Sequence, residues 1–177
     1  MSQEVDELAM RAWRGFLRAH SIVIRALDAE LSAERRLGLT SYEVLLVLAC
    51  SPGRALRMSE LADRVLLSRS GTTRLVDGLV AGGLVERRRC PEDARSQLAV
   101  LTREGLAGLR DASAVHLRGV KEHFSGRLSR AQLAAVAEAM EVITEERPLL
   151  ELGFSMQEEA GVAVTSQANR SGGRQAT

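Results

Sequence analysis

Residues 58–105, MSELADRVLLSRSGTTRLVDGLVAGGLVERRRCPEDARSQLAVLTREG, switch from two short helical patterns to two strand-like runs joined by a polar, positively charged tip. That switch constrains the fold more than any other feature of the chain. Leu61, Ala62 and Val65 repeat at helical spacing, and Leu66-Leu67 lead into a break at Ser68. A second helical pattern runs through Thr72, Leu75, Val76, Leu79 and Val80. Ser68 suits an N-cap, because its hydroxyl can accept a bond from a backbone N–H left free in the first turn. Gly82-Gly83 stops the second helix, where a left-handed residue is needed and glycine adopts that conformation cheaply. Two short helices joined by a tight turn form a helix-turn-helix, and its second helix is the usual reader of a DNA major groove.

Two strand-like runs follow, Leu84–Arg88 and Gln97–Leu101, bracketing Arg89-Cys90-Pro91-Glu92-Asp93-Ala94-Arg95-Ser96. A loop with proline, two acids and arginines between short β runs predicts a hairpin with a long tip, and a helix-turn-helix followed by a hairpin is a winged helix. The passage resembles the MarR family of bacterial transcriptional regulators. The pieces that carry the likeness are Leu61-Ala62, Ser68 through Val76, Gly83 through Arg87, Asp93-Ala94-Arg95, and Leu101 through Gly105. Their order and spacing are more specific than any one fragment, and the flanks extend the likeness over roughly residues 5 to 150.

Outside the winged helix, residues 5–36 predict one long helix. Trp13, Phe16, Leu17, His20, Val23, Ile24, Leu27 and Leu31 recur at three- and four-residue steps. Thr40-Ser41-Tyr42-Glu43 fits a capping box opening a shorter helix, which Ser51-Pro52-Gly53 ends. Thr102 can cap a long helix carrying Leu106, Leu109, Val115, Leu117, Val120 and Phe124. Ser129-Arg130-Ala131-Gln132 is a second capping box, opening a last helix through Leu133, Val136, Met140 and Ile143. The expected fold is mainly α with a small β-hairpin wing. Its divisions are 1–36 (N-terminal dimerisation helix), 40–105 (winged helix-turn-helix), 106–154 (C-terminal dimerisation helices) and 155–177 (flexible tail).

One winged helix cannot cover the apolar faces of three further helices. The resemblance implies that the terminal helices of two subunits interleave, and a two-fold dimer would read a palindromic operator in double-stranded DNA. A monomer whose terminal helices fold back is the alternative. Net charge is only +1, but residues 54–110 hold 11 arginines against 7 acidic residues, a local balance of +4, while the rest of the chain balances to −3. A basic segment in a mildly acidic body suits a face turned toward DNA. No apolar run approaches a membrane span, and the acidic start (Glu4, Asp6, Glu7) is unlike a secretory signal, so the expected address is the cytoplasm.

The candidate DNA contacts are Ser68, Arg69, Ser70, Thr72, Thr73 and Arg74 in the first turns of the second helix. Hydroxyls there bond phosphates or base edges, arginine can grip guanine bidentately, and the helix N-terminus offers backbone N–H groups. Ser68 and Thr72 can instead cap or pack. Arg87, Arg88 and Arg89 are placed to approach phosphates. Arg95 at the hairpin tip can reach a minor groove, and the resemblance implies that Asp93 braces it.

The resemblance also implies a small aromatic or anionic effector in a crevice beside the dimer lobe, for which Trp13, Arg14, His20 and His116 are candidates. Trp13 as dimer core and His20 as a satisfied interfacial histidine is the other reading. No enzyme is expected. His20, His116 and His123 show no paired metal spacing, so neither metal nor cofactor is expected, and no nucleophile elbow is present. Cys50 reads as a small core side chain, and Cys90 as either a plain exposed thiol or one activated by its arginine neighbours. The function expected is a homodimeric DNA-binding regulator, a repressor released by a small-molecule effector. The alternative is a winged-helix protein-interaction module using the same basic face on an acidic partner.

Overall fold

Aromatic residues make up only 3% of the chain, so its core has to be assembled from leucine and valine stripes brought together by packed helices. The computed structural model describes residues 6–65, 67–90, 93 and 96–144. In order, the elements are α1 (Glu7–Arg35), α2 (Leu39–Ala49), β1 (Ala55–Arg57), α3 (Met58–Arg64), α4 (Arg69–Ala81), β2 (Val85–Arg89), β3 (Gln97–Leu101), α5 (Arg103–His123) and α6 (Arg130–Thr144). The fold is mainly helical with a small sheet, as the periodicities require. Helices α3 and α4 form the helix-turn-helix, and β2 with β3 the wing. β1 adds a third antiparallel strand on the far edge of β3, in the order β1-β3-β2, with Leu56 opposite Ala99 and Arg87 opposite Ala99 on the other side. This strand was not expected, because three residues carry no readable period.

Three of the four expected helix starts form as their side chains dictate. Ser68 Oγ accepts the Gly71 N–H at 3.1 Å, and Thr102 Oγ1 accepts the Gly105 N–H at 2.9 Å. Ser129 and Gln132 cap each other reciprocally at 2.9 and 3.2 Å. The start of α2 departs from expectation. It begins at Leu39 after Gly38, without a local side-chain cap, and the Leu39 N–H is met by Asp28 Oδ1 of α1 at 2.8 Å. The box at Thr40 therefore does not open this helix. Of the glycine pair, Gly83 takes the left-handed conformation (φ 72°), whereas Gly82 stays right-handed.

The C-terminal half of α1 lies along α5, with α2 and α3 closing the core. Leu31, Leu45, Leu48, Leu61, Leu109 and Val115 are all but fully buried, and truncating a leucine among them to alanine should cost about 2–5 kcal/mol. The one large polar aromatic inside, Tyr42, has its hydroxyl 3.4 Å from Ser113 Oγ, which itself bonds the Leu109 carbonyl. Elsewhere the apolar faces are bare. Trp13 is 53% exposed and Ile143 72% exposed, and α6 buries none of its residues. Among the described residues no helix is long and apolar enough to cross a membrane.

The wing, α4 and α5 meet at Thr102. Its hydroxyl lies 2.8 Å from the Gly83 carbonyl and 3.0 Å from that of Leu84, and its N–H bonds the Leu84 carbonyl at 3.1 Å. Gly105 packs so tightly here that a Cβ would strike the Leu84 carbonyl and come within 2.8 Å of Leu101 Cδ1. Because the obstacle is backbone, it cannot rotate away. Gly105→Ala should therefore destabilise the protein by about 3 kcal/mol or more, at the upper end of overpacking costs. Urea denaturation measures this directly, and an unchanged midpoint would show that the junction is looser than its contacts indicate.

Candidate nucleic-acid interface

Helix α4 divides into two faces. Thr72, Val76 and Leu79 point into the core, while Arg69, Ser70, Thr73 and Arg74 project outward, with Ser68 exposed at the cap. Thr72 is fully buried and its hydroxyl bonds the Ser68 carbonyl at 3.1 Å. Its expected place among the contact residues is thus corrected: it packs. Thr73 Oγ1 turns back to the Arg69 carbonyl at 2.9 Å, but it keeps acceptor capacity on the outer face. Gly78 sits on the same helix with open space around its Cα, and nothing in the structure explains why a glycine is there.

The three arginines of β2 have different roles. Arg87 is half-buried and forms a brace: its guanidinium bonds Asp77 Oδ1 and Gln97 Oε1, each at 2.8 Å, and reaches the Thr73 carbonyl at 3.5 Å. It holds the wing against the C-terminal part of α4, a role that spacing along the chain could not show. Arg87 is accordingly withdrawn from the expected phosphate contacts. Arg88 is exposed and paired with Glu86. Such an exposed pair is worth about 0–1 kcal/mol, so a phosphate can displace it. Arg89 is exposed at the end of β2. Farther along, Asp93 Oδ2 accepts the Ser96 hydroxyl at 2.6 Å, and the Asp93 carbonyl accepts the Ser96 N–H at 2.9 Å. Arg95, and with it the expected brace from Asp93, lies outside the described residues.

Both cysteines are placed. Cys50 is half-buried against the core. Cys90 is 6% exposed, with the Arg57 guanidinium 3.8 Å from its Sγ. The plain exposed thiol expected there is corrected: it is buried, beside Arg57 of β1.

Along α1, Trp13, Phe16 and His20 form a ladder, with ring centroids 6.0 and 6.2 Å apart. Arg14 lines an open groove with Leu17, Arg18 and Arg25. His20 lines a separate cleft of about 490 Å³ with Ile24, Arg25, Asp28, Leu39 and Glu43. Burial pushes the Glu43 carboxyl above its usual range. His116 lines neither. Its ring stacks on Tyr42 at 4.6 Å, its Nδ1 is buried without a hydrogen-bond partner, and burial lowers its pKa. Within one chain, then, the four expected ligand residues do not converge on one cavity. Two that sequence spacing missed, Glu43 and Asp28, line the cleft beside His20.

The MarR family profile matches residues 37–96. Among solved structures the chain is similar to Sco3205, a MarR family transcriptional regulator from Streptomyces coelicolor in complex with DNA. The two are 32% identical over 81% of this chain and 91% of that one, with a TM-score of 0.75. AbsC, a MarR family transcriptional regulator from the same organism, is similar at 29% identity over 82% and 97% of the two chains, with a TM-score of 0.74. A mutant MarR from E. coli complexed with operator DNA shares the fold, at 22% identity over 80% and 99% and a TM-score of 0.68. No curated protein sequence matches the chain.

The buried imidazole gives a signed pH dependence. The folded pKa of His116 lies below its ordinary 6.5, so the unfolded chain takes up the proton first as pH falls. Its contribution to stability is fully present above about pH 6.5 and is lost below it. Glu43, raised above 4.5, runs the other way: its contribution is present below that value and fades as pH rises through the folded pKa. In a Glu43→Gln background, the urea midpoint should fall between pH 7 and 5.5, and His116→Phe should flatten that fall. An equal fall in both proteins would mean that the imidazole protonates freely inside the fold.

Proposed function

The chain belongs to the MarR family of transcriptional regulators, and on that premise we propose that it acts as a homodimeric repressor that binds a palindromic operator and is released by a small aromatic or anionic effector. The observation that carries the DNA reading is the outer face of α4. Arg69, Ser70, Thr73 and Arg74 stand clear of the protein, while the other face anchors the helix in the core. A helix presented in this way fits a major groove, where arginine and hydroxyl groups meet base edges. Ser68 and the first N–H groups of α4 meet phosphate, Arg88 and Arg89 reach the flanking backbone, and Arg95, braced by Asp93, enters the minor groove.

The dimer reading is supported by uncovered apolar surface. Leu8, Trp13, Phe16, Leu17 and Ile22 on α1 and Val142 and Ile143 on α6 all lie exposed, more than a lone soluble subunit ordinarily leaves wet. A second copy of these helices would cover them and set two α4 helices about one DNA turn apart. The effector reading is supported by the cleft at His20, Arg25 and Glu43, where Arg25 stands beside apolar walls from Ile24, Ala29 and Leu39, with the carboxyls of Asp28 and Glu43 on the same lining. Trp13, Arg14 and His116 join this site only if the second subunit completes it. The repressor assignment rests on the family habit.

DNA upstream of the protein's own gene, scanned for an imperfect palindrome and tested by gel shift, provides the first test. Arg69→Ala or Arg74→Ala should cost about 1–3 kcal/mol on the specific site and relax base preference, whereas Arg88→Ala should weaken specific and random DNA alike and lower the salt slope by about one. Identical effects of all three on both DNAs would remove direct readout by α4. Failure to shift any palindrome, with tight binding to an acidic protein surface, would favour the interaction-module alternative.

Phe16→Asp and Ile143→Asp should each bring the sedimenting mass down to one chain and abolish the operator shift. A wild-type monomer that binds the full palindrome tightly would overturn the dimer.

A further inference from the structure

Where α1 passes the last turn of α5, Glu30, Glu122 and His123 each bring one ligand atom to within 4.8 Å of the others. His123 Nε2 lies 2.5 Å from Glu30 Oε1, and both side chains are mostly buried, at 18% and 26% exposed. The other oxygen of that carboxylate, Glu30 Oε2, is shut away from solvent with no hydrogen-bond partner among the described residues. A carboxylate oxygen left in that condition is costly, because it has given up water and gained no donor. Room has nevertheless been made for it. Gly119, one turn earlier on α5, faces it so closely that a Cβ would stand 2.8 Å from Glu30 Oε2 and 2.6 Å from Leu27 Cδ2. A glycine here lets the carboxylate lie flat against the helix, and the C-terminal end of α5 adds a field that favours positive charge.

We propose that Glu30, Glu122 and His123 bind a divalent transition-metal ion of the zinc class, which clips α1 to α5. The donor set is one neutral imidazole and two carboxylates, so a doubly charged ion leaves the site neutral. Imidazole selects zinc and its first-row neighbours over magnesium or calcium. Zinc bonds to nitrogen and oxygen are about 2.0–2.2 Å, so adjacent tetrahedral donors stand about 3–3.5 Å apart. Side-chain rotation opens the 2.5 Å pair and draws Glu122 inward to that spacing. Water takes the fourth position. Glu30 Oε2 faces the ion or receives that water's proton, and its lack of a partner ends. Spacing along the chain could not bring this group to notice, because Glu30 and His123 are 93 residues apart.

The test uses the untagged full-length chain, stripped with EDTA, dialysed and titrated with zinc chloride against a chromophoric chelator, with cobalt(II) absorption as a second readout. One ion per chain is expected, with the intense visible bands of tetrahedral cobalt. His123→Ala and Glu30→Gln should each weaken binding at least about 100-fold, beyond what even outer-shell partners of a metal contribute. Glu122→Gln should weaken it measurably. Glu34→Gln, which breaks the neighbouring α1–α5 ion pair with Arg118, should leave uptake unchanged. A structural ion pair alone would lower the melting temperature of His123→Ala in EDTA yet give no zinc-dependent rise in wild type. The metal site requires that rise in wild type and Glu34→Gln, and its absence in His123→Ala. Failure of the wild type to take up one equivalent, or equal uptake by His123→Ala and Glu30→Gln, would overturn the proposal.

Discussion

The backbone carbonyl of Leu84 is the point at which the recognition helix, the wing and the long helix α5 are held in one geometry. It accepts the N–H of Thr102 and lies 3.0 Å from the Thr102 hydroxyl, while that same hydroxyl accepts the Gly105 N–H and so starts α5. Gly83, in its left-handed conformation, turns the chain out of α4 so that the carbonyl can face that way. Gly105 then allows α5 to rest directly on it. Arg87 performs the matching task farther out, joining Asp77 of α4 to Gln97 of β3. Between them these two junctions fix where Arg88 and Arg89 sit relative to Arg69 and Arg74. The basic face is therefore a property of backbone geometry before it is one of charge.

Burial is unequally shared along α1. Its C-terminal half carries Leu27 and Leu31 into the core, whereas its N-terminal half shows Trp13, Phe16 and Leu17 to solvent. One continuous helix therefore serves two tasks, and Glu30 stands near the change of role. The cleft bordered by Arg25, Asp28 and Glu43 lies in the same region. Anything bound there touches α1 and the start of α2 together, and the latter is itself anchored to α1 through Asp28.

What could be read from the sequence was what is local. The helix starts at Ser68, Thr102 and Ser129 depend on a side chain and an N–H three residues away, and the two main strands are short runs bracketing a turn-rich loop, so each was visible in a short window. The start of α2 was not, because its cap comes from Asp28 on another helix. β1 exists because β3 offers it an edge, not because Ala-Leu-Arg is strongly strand-forming. At the interface helical period showed the outward residues of α4 and also set Thr72 in line with Val76 and Leu79, so that its packing role was one of two readings and burial decides between them. Period could not separate Arg87, which has Asp77 and Gln97 around it, from Arg88, which pairs with Glu86 of its own strand. Cys90 was misplaced for the same reason: burial by a neighbouring strand and Arg57 leaves no mark on its own stretch of sequence.

The basic face has one more chemical consequence. Every cation between residues 54 and 110 is an arginine, and Lys121, the sole lysine of the chain, lies outside that span, as do all three histidines. A guanidinium keeps its proton across any physiological pH and carries no amine for acetylation to neutralise. The charge on Arg69, Arg74, Arg88 and Arg89 is thus permanent, out of reach of both acid and lysine acyltransferases. The histidines, His20, His116 and His123, all sit on α1 and α5. A ligand seated in the cleft between α1 and α2 could thus change the behaviour of the face by moving it, not by discharging it.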